Sequence, residues 1–160
     1  MITNNATLSF TEDQPDLANI LVVDDLEADI ELTRILLVRR GKLQCNLLVA
    51  QSADQALRML EGGSNDGMQI DLMLLDINMP GMDGFELMET LRQSEAGQNT
   101  AVVMCTGSAY QKDEERAAAL GSVGYLVKPL SFDKLKMLLH RIPKLHLEEG
   151  AEGNRLMRTA

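Results

Sequence analysis

Acidic, hydroxyl and ammonium side chains end four strongly apolar stretches of this chain. Asp24 and Asp25 follow the first stretch, Asp76 ends the second, and Thr106 and Lys128 come directly after two later ones. Carboxylate oxygens are the ligands that a hard divalent cation prefers, and hydroxyl and ammonium groups bind phosphoryl oxygens. The five residues together therefore predict a site for a doubly charged metal ion and a phosphoryl group.

Each of these residues also has an ordinary structural interpretation. Asp24 and Asp25 could cap a strand-to-helix turn, Asp76 and Thr106 could be turn or cap residues, and Lys128 could be solvated. However, three converging carboxylates would repel one another unless a cation neutralised them. Mg2+ suits such a group, because it binds one or two carboxylates and keeps several waters. One of the two adjacent acids would ligate Mg2+ directly and the other through water.

The residues after Asp76 read Ile-Asn-Met-Pro-Gly-Met-Asp-Gly, through position 84. Pro80 and the two glycines predict a tight, non-helical loop that holds the Asp76 carboxylate exposed beyond the sheet. A carboxylate in that position can attack phosphorus and form an acyl phosphate. The backbone carbonyl of Asn78, in the same loop, could complete the shell of the metal ion.

Strands and helices are predicted to alternate along the chain. The predicted strands are residues 20–24, 44–50, 71–76, 100–105 and 123–127, and the predicted helices are residues 26–40, 52–61, 85–93, 111–120 and 131–142. This alternation indicates an α/β fold, a flavodoxin-like (βα)5 doubly wound parallel sheet with strand order 2-1-3-4-5. Ligands bind such sheets outside the carboxyl ends of the strands, at the switch point between strands 1 and 3. Asp24, Asp25 and Asp76 fall there.

Length and composition set the limits of the domain and exclude some functions. The 160 residues predict one domain, residues 19–143, with an N-terminal arm of residues 1–18 and a C-terminal tail of residues 144–160. A net charge of −9 and an aromatic content of 3% argue against nucleic-acid binding, which needs a basic face or stacking platforms. The chain shows neither a secretory signal nor a membrane-spanning run, so a cytoplasmic protein is expected.

The motifs around these residues resemble the receiver domain of two-component response regulators. They are Leu-Val-Val-Asp-Asp at 21–25, the loop at 76–84, Thr-Gly-Ser at 106–108 and Gly-Tyr-Leu-Val-Lys-Pro at 124–129. The resemblance extends over about residues 19–142 and implies a role for each site residue. Asp76 would be the phosphoacceptor; Asp25, Asp76 and the Asn78 carbonyl would bind Mg2+, with Asp24 acting through water; Thr106 and Lys128 would bind the phosphoryl group; Thr106 and Tyr125 would form the switch.

The same resemblance implies how the chain would signal. A sensor histidine kinase would phosphorylate Asp76, and the change would reach the output face, defined here as the fourth helix, fifth strand and fifth helix (residues 111–120, 123–127 and 131–142). Only about 18 residues follow the domain, so a stand-alone regulator is expected. It would act by protein–protein contact and would not be an enzyme, apart from slow self-dephosphorylation.

The segment at residues 25–29, Asp-Leu-Glu-Ala-Asp, is similar to small regulators paired with bacterial phytochromes. That subfamily includes many dimers, which suggests a phytochrome kinase and a homodimer.

Three other functions fit these residues less well than a phosphoacceptor does. A phosphatase of the haloacid-dehalogenase type needs a second acid two residues after its nucleophile, where this chain has Asn78. A flavodoxin-like cofactor binder needs a phosphate-cradling loop after the first strand, where Asp24 and Asp25 would repel phosphate. A docking module that works without phosphorylation remains the alternative.

Overall fold

Aliphatic runs of the chain form a parallel sheet of five strands at the centre of the molecule. The computed structural model describes residues 16–62 and 69–159. The central strands are β1 (Asn19–Val23), β3 (Asn46–Ala50), β4 (Leu72–Asp76), β5 (Ala101–Thr106) and β6 (Gly124–Val127). Their spatial order, β3-β1-β4-β5-β6, confirms the order 2-1-3-4-5 expected for the five main strands. Every residue of β1 and β4 is buried, as continuous apolar runs between two layers of helices require.

Helices cover both faces of this sheet. They are α1 (Glu27–Arg34) with a π-helical continuation (Ile35–Arg40), α2 (Ala53–Gly62), α3 (Gly84–Leu91), α4 (Glu95–Gln98), α5 (Gln111–Ala119) and α6 (Phe132–Leu139). Core residues Ile30 of α1 and Leu135 of α6 belong to one buried cluster, while Leu87 of α3 and Ala117 of α5 belong to the other. The five long helices were all predicted to within a few residues. None of the described helices has the length and apolar character needed to cross a bilayer.

The C-terminal residues form a second, smaller sheet, which corrects the expected irregular tail at 144–160. Strands β7 (Leu145–Gly150) and β8 (Gly153–Arg158) make an antiparallel hairpin, and β8 pairs in parallel with β2 (Leu43–Gln44). Leu145 and Leu156 are buried in the same core cluster as α1 and α6. The apolar side chains of the hairpin complete that core. Each strand is too short to show a sustained hydrophobic period, so the sequence did not reveal it.

The hairpin also contacts the residues that precede β1. Leu17 forms a bridge with Met157, and the backbone N–H of Arg158 donates to the carbonyl of Asp16 at 2.7 Å. Residues 16–18 of the expected arm are therefore paired with the C-terminal strand. Residues 1–15, the rest of that arm, lie outside the described residues.

Asp71, just before β4, connects the two sheets. Its carboxylate is 1% exposed and accepts hydrogen bonds from the backbone N–H of Asn19 at 2.8 Å and from Nε of Arg158 at 3.0 and 3.1 Å. A buried carboxylate requires such partners, because its desolvation would otherwise be unfavourable. The contact joins β8 to the amino end of the central sheet.

Candidate functional site

The residues expected to form the site lie together at the carboxyl edge of the central sheet. Asp24 and Asp25 follow β1, Asp76 is the last residue of β4, Thr106 is the last residue of β5, and Lys128 follows β6. Because all five central strands are parallel, their carboxyl ends meet at this one edge. The sheet therefore brings all five side chains to one place.

Three carboxylates converge between β1 and β4. Asp24, Asp25 and Asp76 each offer an oxygen atom, and these atoms all lie within 4.8 Å of one another. Asp24 and Asp76 are only 4% and 5% exposed, so water screens their mutual repulsion poorly, while Asp25 is half-buried. The donors are all hard oxygen atoms, which is the chemistry that Mg2+ prefers. The residues present thus fit the cation that the sequence suggested.

Lys128 provides the positive charge of the site. Its Nζ lies 2.7 Å from Oδ2 of Asp24, 2.9 Å from Oδ2 of Asp29 and 3.2 Å from Oδ1 of Asp76. Burial alone would lower the pKa of Lys128, but the hydrogen bonds to Asp24 and Asp29 and the nearby charges raise it above its ordinary value. The side chain is therefore an ammonium ion at neutral pH.

Burial and neighbouring groups shift the pKa of Asp76 in opposite directions. Burial raises the pKa of this carboxyl to about 6; the ammonium of Lys128 opposes the rise, and the charge of Asp24 adds to it. Lys128 and the backbone N–H of Asn78 also donate hydrogen bonds to the Asp76 carboxylate, which favour its charged form. Most Asp76 side chains are therefore ionised at pH 7, as a carboxylate nucleophile must be.

The loop after Asp76 has the tight geometry that Pro80 and the two glycines predicted, but the expectation of an exposed Asp76 carboxylate is wrong, because that residue is 5% exposed at the end of β4. Gly81 adopts a φ of +76°, which a residue with a β-carbon rarely does. A β-carbon at position 84 would lie 2.4 Å from the carbonyl oxygen of Asp76, so only glycine lets α3 begin this close to the strand end. Asp83 and Glu86 form a capping box that fixes the start of α3, with both hydrogen bonds at 2.9 Å.

The hydroxyl groups of Thr106 and Tyr125 share one acceptor. The Thr106 hydroxyl donates to the carbonyl of Ser108 at 2.9 Å, and the Tyr125 hydroxyl donates to the same carbonyl at 3.3 Å. Thr106 is 1% exposed, whereas the hydroxyl of Tyr125 reaches its acceptor at the exposed surface. The Ser108 carbonyl, in the loop after β5, thus links Thr106 at the end of β5 to Tyr125 on β6 through hydrogen bonds.

Asp29 is a residue of this cluster that the sequence did not single out. It lies on α1 and is the second-nearest carboxylate to Lys128. The available signal was its place in the first turn of the helix that directly follows Asp24 and Asp25, because that turn lies beside the carboxyl end of β1. Its partner Lys128 lies 99 positions away in the sequence, so spacing alone could not have shown the contact.

Comparisons with known proteins agree with this geometry. A family model described as "Response regulator receiver domain" matches residues 20–140. The chain is 30% identical over 148 residues to the two-component response regulator ARR5 of Arabidopsis thaliana, covering 88% of this chain and 77% of that protein. It is 34% identical over 133 residues to the sensor histidine kinase RcsC of Salmonella typhi, covering 83% of this chain but only 13% of the kinase. The solved structure of the bacteriophytochrome response regulator AtBRR matches with a TM-score of 0.71 and 30% identity, over 81% of this chain and 94% of that one.

Proposed function

We propose, from the premise that this chain belongs to the response regulator receiver domain family, that it accepts a phosphoryl group on Asp76 from a sensor histidine kinase. The observation that carries the proposal is the position of Asp76, which lies beside two further carboxylates and 3.2 Å from an ammonium group. This arrangement offers a nucleophile, a place for Mg2+ and a cation for the transferred group. Labelling of the wild type and of an Asp76 variant, described in the Discussion, tests the proposal.

In the proposed reaction a phosphoryl group moves from a nitrogen or oxygen atom of the donor to a carboxylate oxygen of Asp76. A carboxylate oxygen of Asp76 forms a bond to phosphorus while the bond from phosphorus to the leaving group of the donor breaks. The leaving group, a histidine nitrogen of the kinase or the carboxylate of an acyl phosphate, departs with the electron pair. Bound Mg2+ would supply positive charge to the phosphoryl oxygens. Lys128 and Thr106 would hold those oxygens after the transfer.

Magnesium should stabilise the wild-type protein much more than an Asp25→Ala variant. A cation that binds only the folded state stabilises it by about 1.4 kcal/mol at ten times its Kd, because it relieves the repulsion among the three carboxylates. Thermal melts with and without Mg2+ measure this. Glu27→Ala is the matched control, since Glu27 is an exposed acid two positions further along the chain. Equal shifts in the wild type and Asp25→Ala would contradict the proposed metal site.

The shared acceptor of Thr106 and Tyr125 suggests how the signal would leave the site. If the Thr106 hydroxyl turns toward a phosphoryl oxygen, the carbonyl of Ser108 loses its donor at 2.9 Å and keeps only that of Tyr125 at 3.3 Å. The loop and Tyr125 would then rearrange together, because packed elements tend to have discrete arrangements. Tyr125 lies on β6, so the change would reach the output face, which in the structure comprises α5, β6 and α6.

We expect phosphorylation to tighten self-association through the output face. Sedimentation of the protein with and without acetyl phosphate and Mg2+ measures this, and the Asp76→Asn variant is the control. A monomer under both conditions would leave a different protein as the partner.

The kinase partner is proposed to be a phytochrome. The support is the 30% identity to the bacteriophytochrome response regulator AtBRR, together with the segment at residues 25–29. The family consists of signalling proteins, which supports the expectation that the chain accepts a phosphoryl group and does not catalyse a reaction of another molecule.

The alternative function is a docking module that works without phosphorylation. It predicts that self-association or partner binding is the same in the wild type and in Asp76→Asn.

A further inference from the structure

We propose that Asp29 is a positioning residue that holds Lys128 away from the transferred phosphoryl group and so limits the stability of the phosphorylated state. The inference rests on the function proposed above, and it concerns a residue to which that function gave no role. Asp29 would act through Lys128 and would touch neither the phosphoryl group nor the metal ion.

The ammonium group of Lys128 lies nearer to Asp24 and Asp29 than to Asp76. An ammonium has three N–H donors, and Nζ has three carboxylate partners, at 2.7 Å (Asp24), 2.9 Å (Asp29) and 3.2 Å (Asp76). The longest distance is the one to the proposed phosphoacceptor. Nζ therefore lies closer to the acids at the β1–α1 end than to the carboxylate on which a phosphoryl group would form.

The position of Asp29 separates it from the candidate metal site. The carboxylates that converge there are Asp24, Asp25 and Asp76, and Asp29 is not one of them. A cation bound by that cluster would draw Asp24 and Asp76 toward itself. Asp29 would then remain as the acid that can hold Lys128 without competition from the cation. Its side chain is 34% exposed, against 18% for Lys128, so the pair is partly shielded from water.

Removing the charge of Asp29 should strengthen the bond between Lys128 and a phosphoryl group. One N–H donor of the ammonium then becomes free to turn to a phosphoryl oxygen, and Nζ is no longer drawn toward α1. The opposite result is expected if Asp29 instead anchors Lys128 in the position needed to bind the phosphoryl group.

Beryllofluoride, which imitates a phosphoryl group on a carboxylate, provides the test. Its affinity for the full chain is measured by fluorine NMR or calorimetry at saturating Mg2+, so that any change in metal affinity does not contribute. Asp29→Asn should bind beryllofluoride more tightly, roughly two- to fivefold, which is the range that a partly exposed ion pair allows. The acyl phosphate formed from acetyl phosphate should also be lost more slowly in this variant.

Two controls separate a role through Lys128 from a general effect of charge. Glu27→Gln removes one negative charge from the first turn of the same helix, at an exposed position, and should leave the affinity unchanged. In a Lys128→Ala background, Asp29→Asn should have little further effect, since the group through which Asp29 acts is gone. A full effect of Asp29→Asn in that background would overturn the proposal.

The outcomes also distinguish this inference from the proposed function. If the wild type fails to bind beryllofluoride with Mg2+, the phosphoacceptor role of Asp76 fails. If the wild type binds it and Asp29→Asn binds it equally or more weakly, only the role of Asp29 fails.

Discussion

Replacing Asp76 by asparagine should abolish labelling of the protein by acetyl phosphate. The wild type should gain one phosphoryl group, and only with Mg2+, because the Asp76 carboxylate is the proposed nucleophile and it lies in a cluster of three carboxylates. The asparagine amide has nearly the same shape but no nucleophilic oxygen of comparable strength. Intact-mass analysis or phosphate-affinity electrophoresis measures the loss, which should be complete.

The chemistry of the label provides an independent check. An acyl phosphate is cleaved by hydroxylamine, whereas a serine or threonine phosphate is not, so the wild-type label should disappear on that treatment. Asp54→Asn is a suitable control, since this acid lies in the first turn of α2, outside the carboxylate cluster. Labelling that persists in Asp76→Asn, or a label that resists hydroxylamine, would place the phosphate on another residue.

Replacing Arg158 by methionine should lower the free energy of unfolding by about 2–4 kcal/mol, close to the range observed when one partner of a buried ion pair is removed. Asp71 is 1% exposed and receives two contacts from Nε of Arg158, at 3.0 and 3.1 Å. Methionine keeps much of the apolar stem of the arginine. The buried Asp71 carboxylate, however, loses the positive charge and hydrogen bonds that offset its desolvation. Urea denaturation, analysed as a two-state transition, measures the change.

Arg155→Met is the matched control for this prediction. Arg155 lies on the same strand, but its ion pair with Glu148 is 4.0 Å long and involves a side chain that is 52% exposed, so its loss should change stability little. The double variant Asp71→Asn/Arg158→Met should be less destabilised than the two single changes added together, because the charge that Arg158 compensates is absent. Equal losses in Arg155→Met and Arg158→Met would show that Asp71 does not depend on Arg158.

The sequence predicted the features that depend on local patterns. The apolar runs that end at Asp24 and Asp76 marked buried parallel strands, and the parallel arrangement alone explains why their carboxylates meet. Pro80 and Gly81 likewise marked the turn, because few other residues favour its backbone angles. These predictions were reliable because the physical cause acts within a few residues of the sequence that reveals it.

The features that were missed depend on contacts between distant residues. The hairpin β7–β8 is ordered by burial of Leu145 and Leu156 against helices elsewhere in the chain, and neither strand has a long enough period to be recognised alone. The contact between Asp71 and Arg158 joins residues 87 positions apart. The π-helical end of α1 is also hidden, because residues 35–40 have an ordinary helical pattern and differ only in their hydrogen bonds.

The pairing of β8 with the first described residues also affects how the protein folds during synthesis. The amide of Ala18 donates to the carbonyl of Leu156, and the carbonyl of Asp16 accepts from Arg158. Until β8 has been synthesised, these groups lack their partners at the amino end of the sheet, and the Asp71 carboxylate has its hydrogen bond from Asn19 but not those from Arg158. Domains usually fold as units as soon as their sequence emerges, and contacts between distant residues form slowly. We therefore expect the amino end of the five-stranded sheet to become fully paired only after β8 has left the ribosome.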